Sequence, residues 1–256
     1  MKNDGWDYST QARYYEKRPN YSDEGIDYML NFVGANKEDY IVADIGAGTG
    51  NLTKLLAEKV GKIIAVEPND FMKEIGIKAT EKYGNLSWIN GTGEDTKLPT
   101  HSVNLVTFGS SFNTTDRLLA LRESYRILKP DGFFVCMWNN RDLTIPSQKR
   151  VEEIIKKYFP DYSHGTRREQ QADFILNSGL FNHVSFFEFP KMVEVSLDDY
   201  CEAWKSVKNK FWDLETSEGK EILEKIIQDI KKEFREGGLN LKYITRIWIA
   251  KKKEEK

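Results

Sequence analysis

The stretch Val42-Ala43-Asp44-Ile45-Gly46-Ala47-Gly48-Thr49-Gly50-Asn51-Leu52 constrains this chain more than any other. A short apolar run, Ile41 to Ala43, reads as a buried parallel strand. It ends in an acidic residue and three glycines at alternate positions, and an apolar helical pattern begins at Leu52, Leu55 and Leu56. A strand, a tight turn and a helix in that order make the first crossover of a doubly wound α/β sheet, whose ligands sit at the carboxyl ends of the strands. Glycine in such a turn permits positive φ and lets a ligand approach the backbone with no Cβ in the way.

The spacing of the glycines separates two cofactor classes. The dinucleotide fingerprint is G-x-G-x-x-G, with pyrophosphate on the helix N-terminus. Gly46 and Gly48 fit it, but Gly50 comes one place early and Asn51 stands where the third glycine belongs. Asp44 would repel a pyrophosphate and suits a ligand carrying an ammonium or a sulfonium. A tight strand-to-helix turn that binds nothing is the plain alternative.

D-x-G-x-G-x-G resembles the first motif of the class I (Rossmann-like) S-adenosylmethionine (SAM)-dependent methyltransferases, and further motifs follow in register. The second strand, Lys62 to Val66, ends at Glu67-Pro68, similar to the family's V-E-P form. A carboxylate at that tip can accept both hydrogen bonds of a ribose diol. Gly91-Thr92-Gly93-Glu94-Asp95-Thr96-Lys97-Leu98-Pro99 resembles the loop that reads adenine, through either Glu94 or Asp95. Arg126 to Gly132 resembles R-x-L-K-P-x-G, in which the proline stops a helix and the glycine turns the chain into the fifth strand. Tyr14-Tyr15-Glu16-Lys17-Arg18-Pro19-Asn20-Tyr21 is similar to the Y-x-x-x-R-P-x-Y lid segment, and Trp138 to Arg141 to the family's W-N-x-R. The chain also departs from its relatives, with Asn104 where many carry Asp, and Asn113-Thr114 where an aromatic or a His-Trp pair is usual.

The resemblance implies a SAM-dependent methyltransferase of the small-molecule, type 11/25-like kind, with S-adenosylhomocysteine as product. It implies that Asp44, Gly46, Ala47, Gly48, Gly50, Asn51, Glu67, Pro68, Glu94, Asp95 and Gly109 bind the cofactor, with Tyr14 and Arg18 from the lid. Phe112, Asn113, Trp138, Arg167 and Trp204 are expected at the acceptor, and no residue stands out as catalytic. His164 reads either as a base or as an ordinary loop histidine. Arg167 and Arg168 read either as a fork for a carboxylate or phosphate or as a solvated basic turn. A peptide or protein methyltransferase and a non-catalytic SAM-binding protein are the alternatives.

The expected architecture is three-layered α/β: a doubly wound seven-stranded sheet of order 3-2-1-4-5-7-6, strand 7 antiparallel, plus a helical cap. Residues 1–36 are expected to form an N-terminal lid and helix, with Trp6, Tyr8, Tyr14, Tyr15 and Tyr21 as its aromatics and a short helix from Ser9 or Thr10 through Lys17. Residues 37–256 are expected to form the methyltransferase domain, with a substrate-capping helical region at about 190–240. Strand five is expected at Phe133 to Trp138, strands six and seven at Val184 to Phe189 and Tyr243 to Ala250, a helix at Leu197 to Asn209, and a solvated tail at Lys251 to Lys256.

Composition narrows the partners. Among 256 residues, 38 Lys plus Arg against 40 Asp plus Glu give a net charge of −2, with no pull toward nucleic acid. Cys136 and Cys201 are far apart and the three histidines lie in unrelated contexts, so no metal site is expected. The lack of a signal-peptide core and of any apolar run near the ~20 residues that span a bilayer suggests a cytoplasmic protein off the membrane. A small-molecule acceptor is the expected partner, and the sequence does not resolve monomer from homodimer.

Overall fold

A computed structural model describes residues 9–35, 39–235 and 239–254. Trp6 and Tyr8 lie outside the described residues, as do Glu255 and Lys256. Seven strands form one sheet in the order β3-β2-β1-β4-β5-β7-β6. Strands β1 (Ile41–Ile45), β2 (Lys62–Val66), β3 (Leu86–Ile89), β4 (Val103–Gly109) and β5 (Leu128–Arg141) pair in parallel. β7 (Leu239–Lys252) runs antiparallel between β5 and β6 (Phe181–Val195).

The central strands are apolar because both their faces are covered. On one face, α2 (Asp23–Phe32) and α3 (Asn51–Ala57) bury Ile26, Met29, Leu52 and Leu56 against Val42, Ile63 and Leu105. On the other, α5 (Arg117–Ile127) and α7 (Ala172–Asn177) bury Leu121 and Ile175 against Ala43, Val106 and Phe134. Polar caps set where the helices begin. Asn69 accepts from Met72 N at the start of α4 (Asp70–Thr80), and Asp116 accepts from Leu118 N and Leu119 N at the start of α5.

A third core lies beyond the sheet. Helices α6 (Pro146–Tyr158), α8 (Leu197–Trp204) and α9 (Ser217–Glu233) gather Ile154, Ile155, Trp204, Trp212, Ile226 and Ile230, with Leu241 and Tyr243 of β7. The cap thus has its own hydrophobic interior and extends earlier in sequence than expected, through α6.

Several expected boundaries shift. β6 runs on to Val195, so the cap after it begins at Leu197 rather than near residue 190, and α8 ends at Trp204 rather than Asn209. The N-terminal helix is broken into α1 (Ser9–Ala12) and a single 3₁₀ turn, Tyr15–Lys17. Arg18 is then extended (ψ 135°), as a residue before proline prefers. The Lys129 to Gly132 segment belongs to β5 itself, which starts at Leu128 directly after α5. Asp131, not Gly132, takes the positive φ of 63°. A Cβ on Gly132 would meet Lys129 O at 2.9 Å and Asn104 O at 3.1 Å, so that glycine serves close approach. Asn104, the departure from Asp, accepts from Ile41 N (3.0 Å) and Lys129 Nζ (3.1 Å) and ties β4 to its neighbours. The terminal charges are not all solvated, since Lys252 is buried and donates to Leu128 O at 2.8 Å.

Candidate functional site

One cavity of about 540 Å³ opens over the carboxyl ends of β1, β2, β4 and β5. Its floor is the glycine turn. Gly46 (φ +65°) and Gly48 (φ +58°) hold left-handed backbone that other residues avoid, and a Cβ on Gly46 would lie 2.6 Å from Ser111 Cβ. Gly46 N and Ala47 N donate to Val66 O (2.8 and 3.1 Å), which draws the turn against β2.

Two carboxylates stand at adjacent strand tips. Asp44 is 1% exposed and accepts from Thr53 Oγ1 (2.6 Å) and Thr107 Oγ1 (3.0 Å). Burial pushes its pKa up to about 6, against those two hydrogen bonds and with help from the Glu67 charge. Glu67, 6% exposed, accepts from Gly48 N through Oε2 (2.8 Å) and from Asn69 N through Oε1 (2.9 Å). Burial raises its pKa too, opposed by those amides. Each of its oxygens keeps a second lone pair for a ligand hydroxyl. The buried Thr49 hydroxyl beside them has no partner.

Of the residues expected to bind cofactor, Asp44, Gly46, Ala47, Gly48, Asn51, Glu67, Pro68, Glu94, Gly109 and Arg18 line this cavity. Gly50, Asp95 and Tyr14 do not. Gly50 (φ +81°) packs toward Thr80 and Trp88 as the left-handed cap of α3. The exposed Asp95 pairs with Lys97, whereas Glu94 faces inward and accepts from Asp116 N at 2.7 Å. Tyr14 lies under Arg13 and Lys205, and Tyr15 takes its place on the wall.

Trp138, Arg167 and Trp204 of the expected acceptor residues also line the cavity. Phe112 does not wall it. It is fully buried among Phe108, Phe134 and Phe174, because the chain leaving β4 turns at Ser111 into the 3₁₀ turn Phe112–Thr114 and that ring enters the core. Asn113 contributes indirectly, accepting from Trp138 Nε1 at 2.9 Å.

The N-terminal segment crosses the mouth and is stitched down at several points. Asn139 Nδ2 donates to Pro19 O and Asn20 O (both 3.1 Å), joining the W-N-x-R strand end to the R-P-x-Y segment. Arg18 donates to Ser206 Oγ (2.7 Å) and Ser206 O (2.5 Å) beyond α8, with its guanidinium 4.0 Å above the Tyr15 ring. Tyr21 OH shares a 2.9 Å hydrogen bond with Ser110 Oγ. Ser110 sits at φ +61°, a strained position for a residue with a side chain and one that clusters at functional sites.

The far wall was foreseen in part: His164, Arg167, Arg168 and Trp204 were candidates from sequence, whereas Tyr162, Tyr200 and Tyr243 were not. Tyr162, His164, Arg141, Arg168, Tyr200 and Tyr243 all line the cavity, brought there by the cap. His164 is a loop residue whose side chain turns into the cavity wall and is part-buried. Its Nε2 lies 3.0 and 3.2 Å from the Glu152 carboxylate, and burial lowers its pKa more than Glu152 raises it. The neutral imidazole therefore donates through Nε2 and keeps Nδ1 as an acceptor. The sequence signals for this wall were the W-N-x-R motif that contains Arg141 and the loop that holds His164, Arg167 and Arg168. Among the described residues, no group of three His, Cys, Asp or Glu side chains is placed to hold a metal ion, and no helix is long and apolar enough to cross a membrane.

Residues 43–136 match the family model described as a methyltransferase domain. Over 147 residues the chain is 30% identical to an uncharacterized methyltransferase of Schizosaccharomyces pombe, a match covering 57% of each chain. Over 110 residues it is 36% identical to the chloroplastic 2-phytyl-1,4-beta-naphthoquinone methyltransferase of Arabidopsis thaliana, covering 40% of this chain and 42% of that one. The chain thus spans about half the length of these curated relatives. In fold it resembles phosphoethanolamine N-methyltransferase 2 of Haemonchus contortus, solved with S-adenosyl-L-methionine. The TM-score is 0.55 at 15% identity, over 96% of this chain and 57% of that one.

Proposed function

We propose that this chain, whose residues 43–136 match the methyltransferase-domain model, is a class I SAM-dependent methyltransferase that transfers the SAM methyl group to a small-molecule acceptor enclosed beneath its cap. The observation that carries this reading is one continuous cavity joining the glycine turn, Asp44 and Glu67 to a wall made by the cap. Its volume suits small ligands rather than a polymer chain. That relatives include a naphthoquinone methyltransferase supports a small acceptor as well.

The residues present fit SAM. Gly46 and Gly48 leave two positions of the turn without a Cβ, the Thr49 hydroxyl lacks a partner, and Glu67 has lone pairs to spare for a ribose diol. Asp44 would face the ligand's positive charge and Glu94 its adenine. Ala47, Asn51, Pro68 and Gly109 would complete the cofactor half, with Arg18 holding the lid.

Bound there, SAM supplies a methyl group already activated on a sulfonium. What remains for this chain is alignment of the acceptor and exclusion of water. Trp138 and Trp204 wall the acceptor half, Arg167 stands at its end, and the stitched N-terminal segment covers the mouth. For an acceptor that enters protonated, His164 is the base, with Glu152 fixing its tautomer so that Nδ1 receives the proton.

The test is incubation of the protein with methyl-labelled SAM and a metabolite extract, followed by separation by size. Label in the small-molecule fraction is the expected result. Label retained on protein would favour the peptide or protein reading. SAM binding with no transfer to any fraction would favour a non-catalytic binding protein.

A further inference from the structure

The cavity is electrically divided. Its carboxylates, Asp44, Glu67 and Glu94, all lie at the cofactor half. From residue 138 onward its described lining holds Arg141, Arg167 and Arg168 and no Asp or Glu. Glu152 stands behind this wall as a counter-charge to Arg141, with Nη2 of Arg141 3.7 Å from it, beyond hydrogen-bonding distance. The same carboxylate is shared with His164 and Lys156.

Arg141 is held in place without being satisfied. Its guanidinium lies 4.3 Å above the Trp204 ring, and its buried Nη1 has no hydrogen-bond partner. Tyr200 OH and Trp204 Nε1, from the same wall, are also buried without partners. Buried donors left unpaired are costly, and one of them on a permanent cation is costlier still. Arg168 reinforces the imbalance. Burial and then the Arg141 charge hold its guanidinium below the usual arginine range, and its Nη2 is taken up by Arg141 O at 2.8 Å. A planar, ring-stacked fork with a free donor edge matches an oxyanion, which an ammonium-bearing or neutral ligand would not replace.

We infer that the methyl acceptor carries an oxyanion, a carboxylate or a phosphate monoester, seated on Arg141 with Arg168 and the Tyr200 hydroxyl at the cap end of the cavity. The inference rests on the reading that the other end takes SAM. The acceptor's charged group docks at the arginines and its nucleophilic atom points back toward the strand tips. The same charge division sorts the two ligands, because the cationic end of SAM is disfavoured among the arginines and an anionic acceptor among the carboxylates.

The experiment titrates the S-adenosylhomocysteine-loaded protein with three probes of one ring, benzoate, phenyl phosphate and benzamide. At least one anion is expected to bind at least tenfold more tightly than benzamide, with the carboxylate and phosphate arms telling which oxyanion is preferred. Arg141→Gln is expected to weaken that anion about tenfold or more, and Arg141→Lys to restore it only in part, since the ammonium lacks the fork. Retained S-adenosylhomocysteine binding certifies that each variant folds. Should Arg141→Gln not fold, Arg168→Gln and the probe comparison on the unaltered protein decide. Benzamide binding as well as the anions, or neither anion binding, overturns the inference. Failure of S-adenosylhomocysteine to bind at all would instead overturn the proposed function.

Discussion

Gly48 N donates to Glu67 Oε2 at 2.8 Å, so the glycine turn after β1 and the acidic tip of β2 form one unit. Glu67 shapes the turn as well as offering lone pairs to a ribose. Glu67→Ala removes both functions, and hydrogen bonds to charged groups contribute about 1.5–3 kcal/mol each. Calorimetry should find S-adenosylhomocysteine weakened by roughly 10- to 100-fold. Glu67→Gln should lose less, since its single carbonyl oxygen can still accept from Gly48 N. Affinity unchanged from the unaltered protein in both variants would remove Glu67 from the site.

Asp44 couples cofactor binding to pH. Its folded pKa of about 6 lies above the ordinary carboxyl value, so the folded protein binds the proton more tightly than the unfolded chain does. Its contribution to stability is therefore fullest below pH ~4 and is lost as pH rises through ~6. Asp44→Asn should raise the melting temperature of the ligand-free protein at pH 8 by a few degrees, having no buried charge to hold. It should also weaken SAM and abolish the fall in SAM affinity expected below pH 6. A variant that binds SAM normally and melts lower would contradict both statements.

The latch on the lid should read out in binding rather than stability. Arg18→Ala loses both bonds to Ser206 and the stacking over Tyr15. Because the segment is a surface strap, the melting temperature should move little, while KM for SAM should rise roughly tenfold. Phe112→Ala is the converse case. That ring is core, so the substitution should cost about 3–5 kcal/mol of stability and leave the preference among acceptors unchanged.

His164 and Asp44 can be told apart by pH profiles. In the proposed role His164 acts as the neutral form, and burial holds its pKa below the ordinary histidine value, so kcat should fall on the acid side of that value. The groups around it are Glu152, Arg141, Arg168 and Tyr162. His164→Gln should lower kcat about 100-fold and erase this limb, leaving the Asp44 limb in kcat/KM for SAM. An unchanged kcat profile would dismiss His164 as a base.

The glycine-turn half of the cavity was readable because local rules write it. A strand, left-handed glycines and an acid at the next strand tip are consecutive in sequence, and the sheet order follows from their repetition. The choice between Glu94 and Asp95 was not readable, because it depends on Asp116 N, which meets Glu94 only when α5 docks. Phe112 was misread because a turn at Ser111 decides whether the next ring faces ligand or core, and no pattern in the sequence encodes that turn. Arg167 and Arg168 read from sequence either as an oxyanion fork or as a solvated turn, and their grouping with Arg141 was out of reach for the same reason. Arg141, His164 and Trp204 come from β5, a loop and α8, and only the cap's own core brings them together.

The central claim is that the strand tips hold SAM, and calorimetric titration of the purified protein with SAM and S-adenosylhomocysteine tests it most directly. Saturable one-site binding of both is the expected result, weakened roughly 10- to 100-fold in Glu67→Ala and, for SAM, weaker below pH 6. A well-folded protein that binds neither would contradict it and leave the glycine turn as scaffold alone.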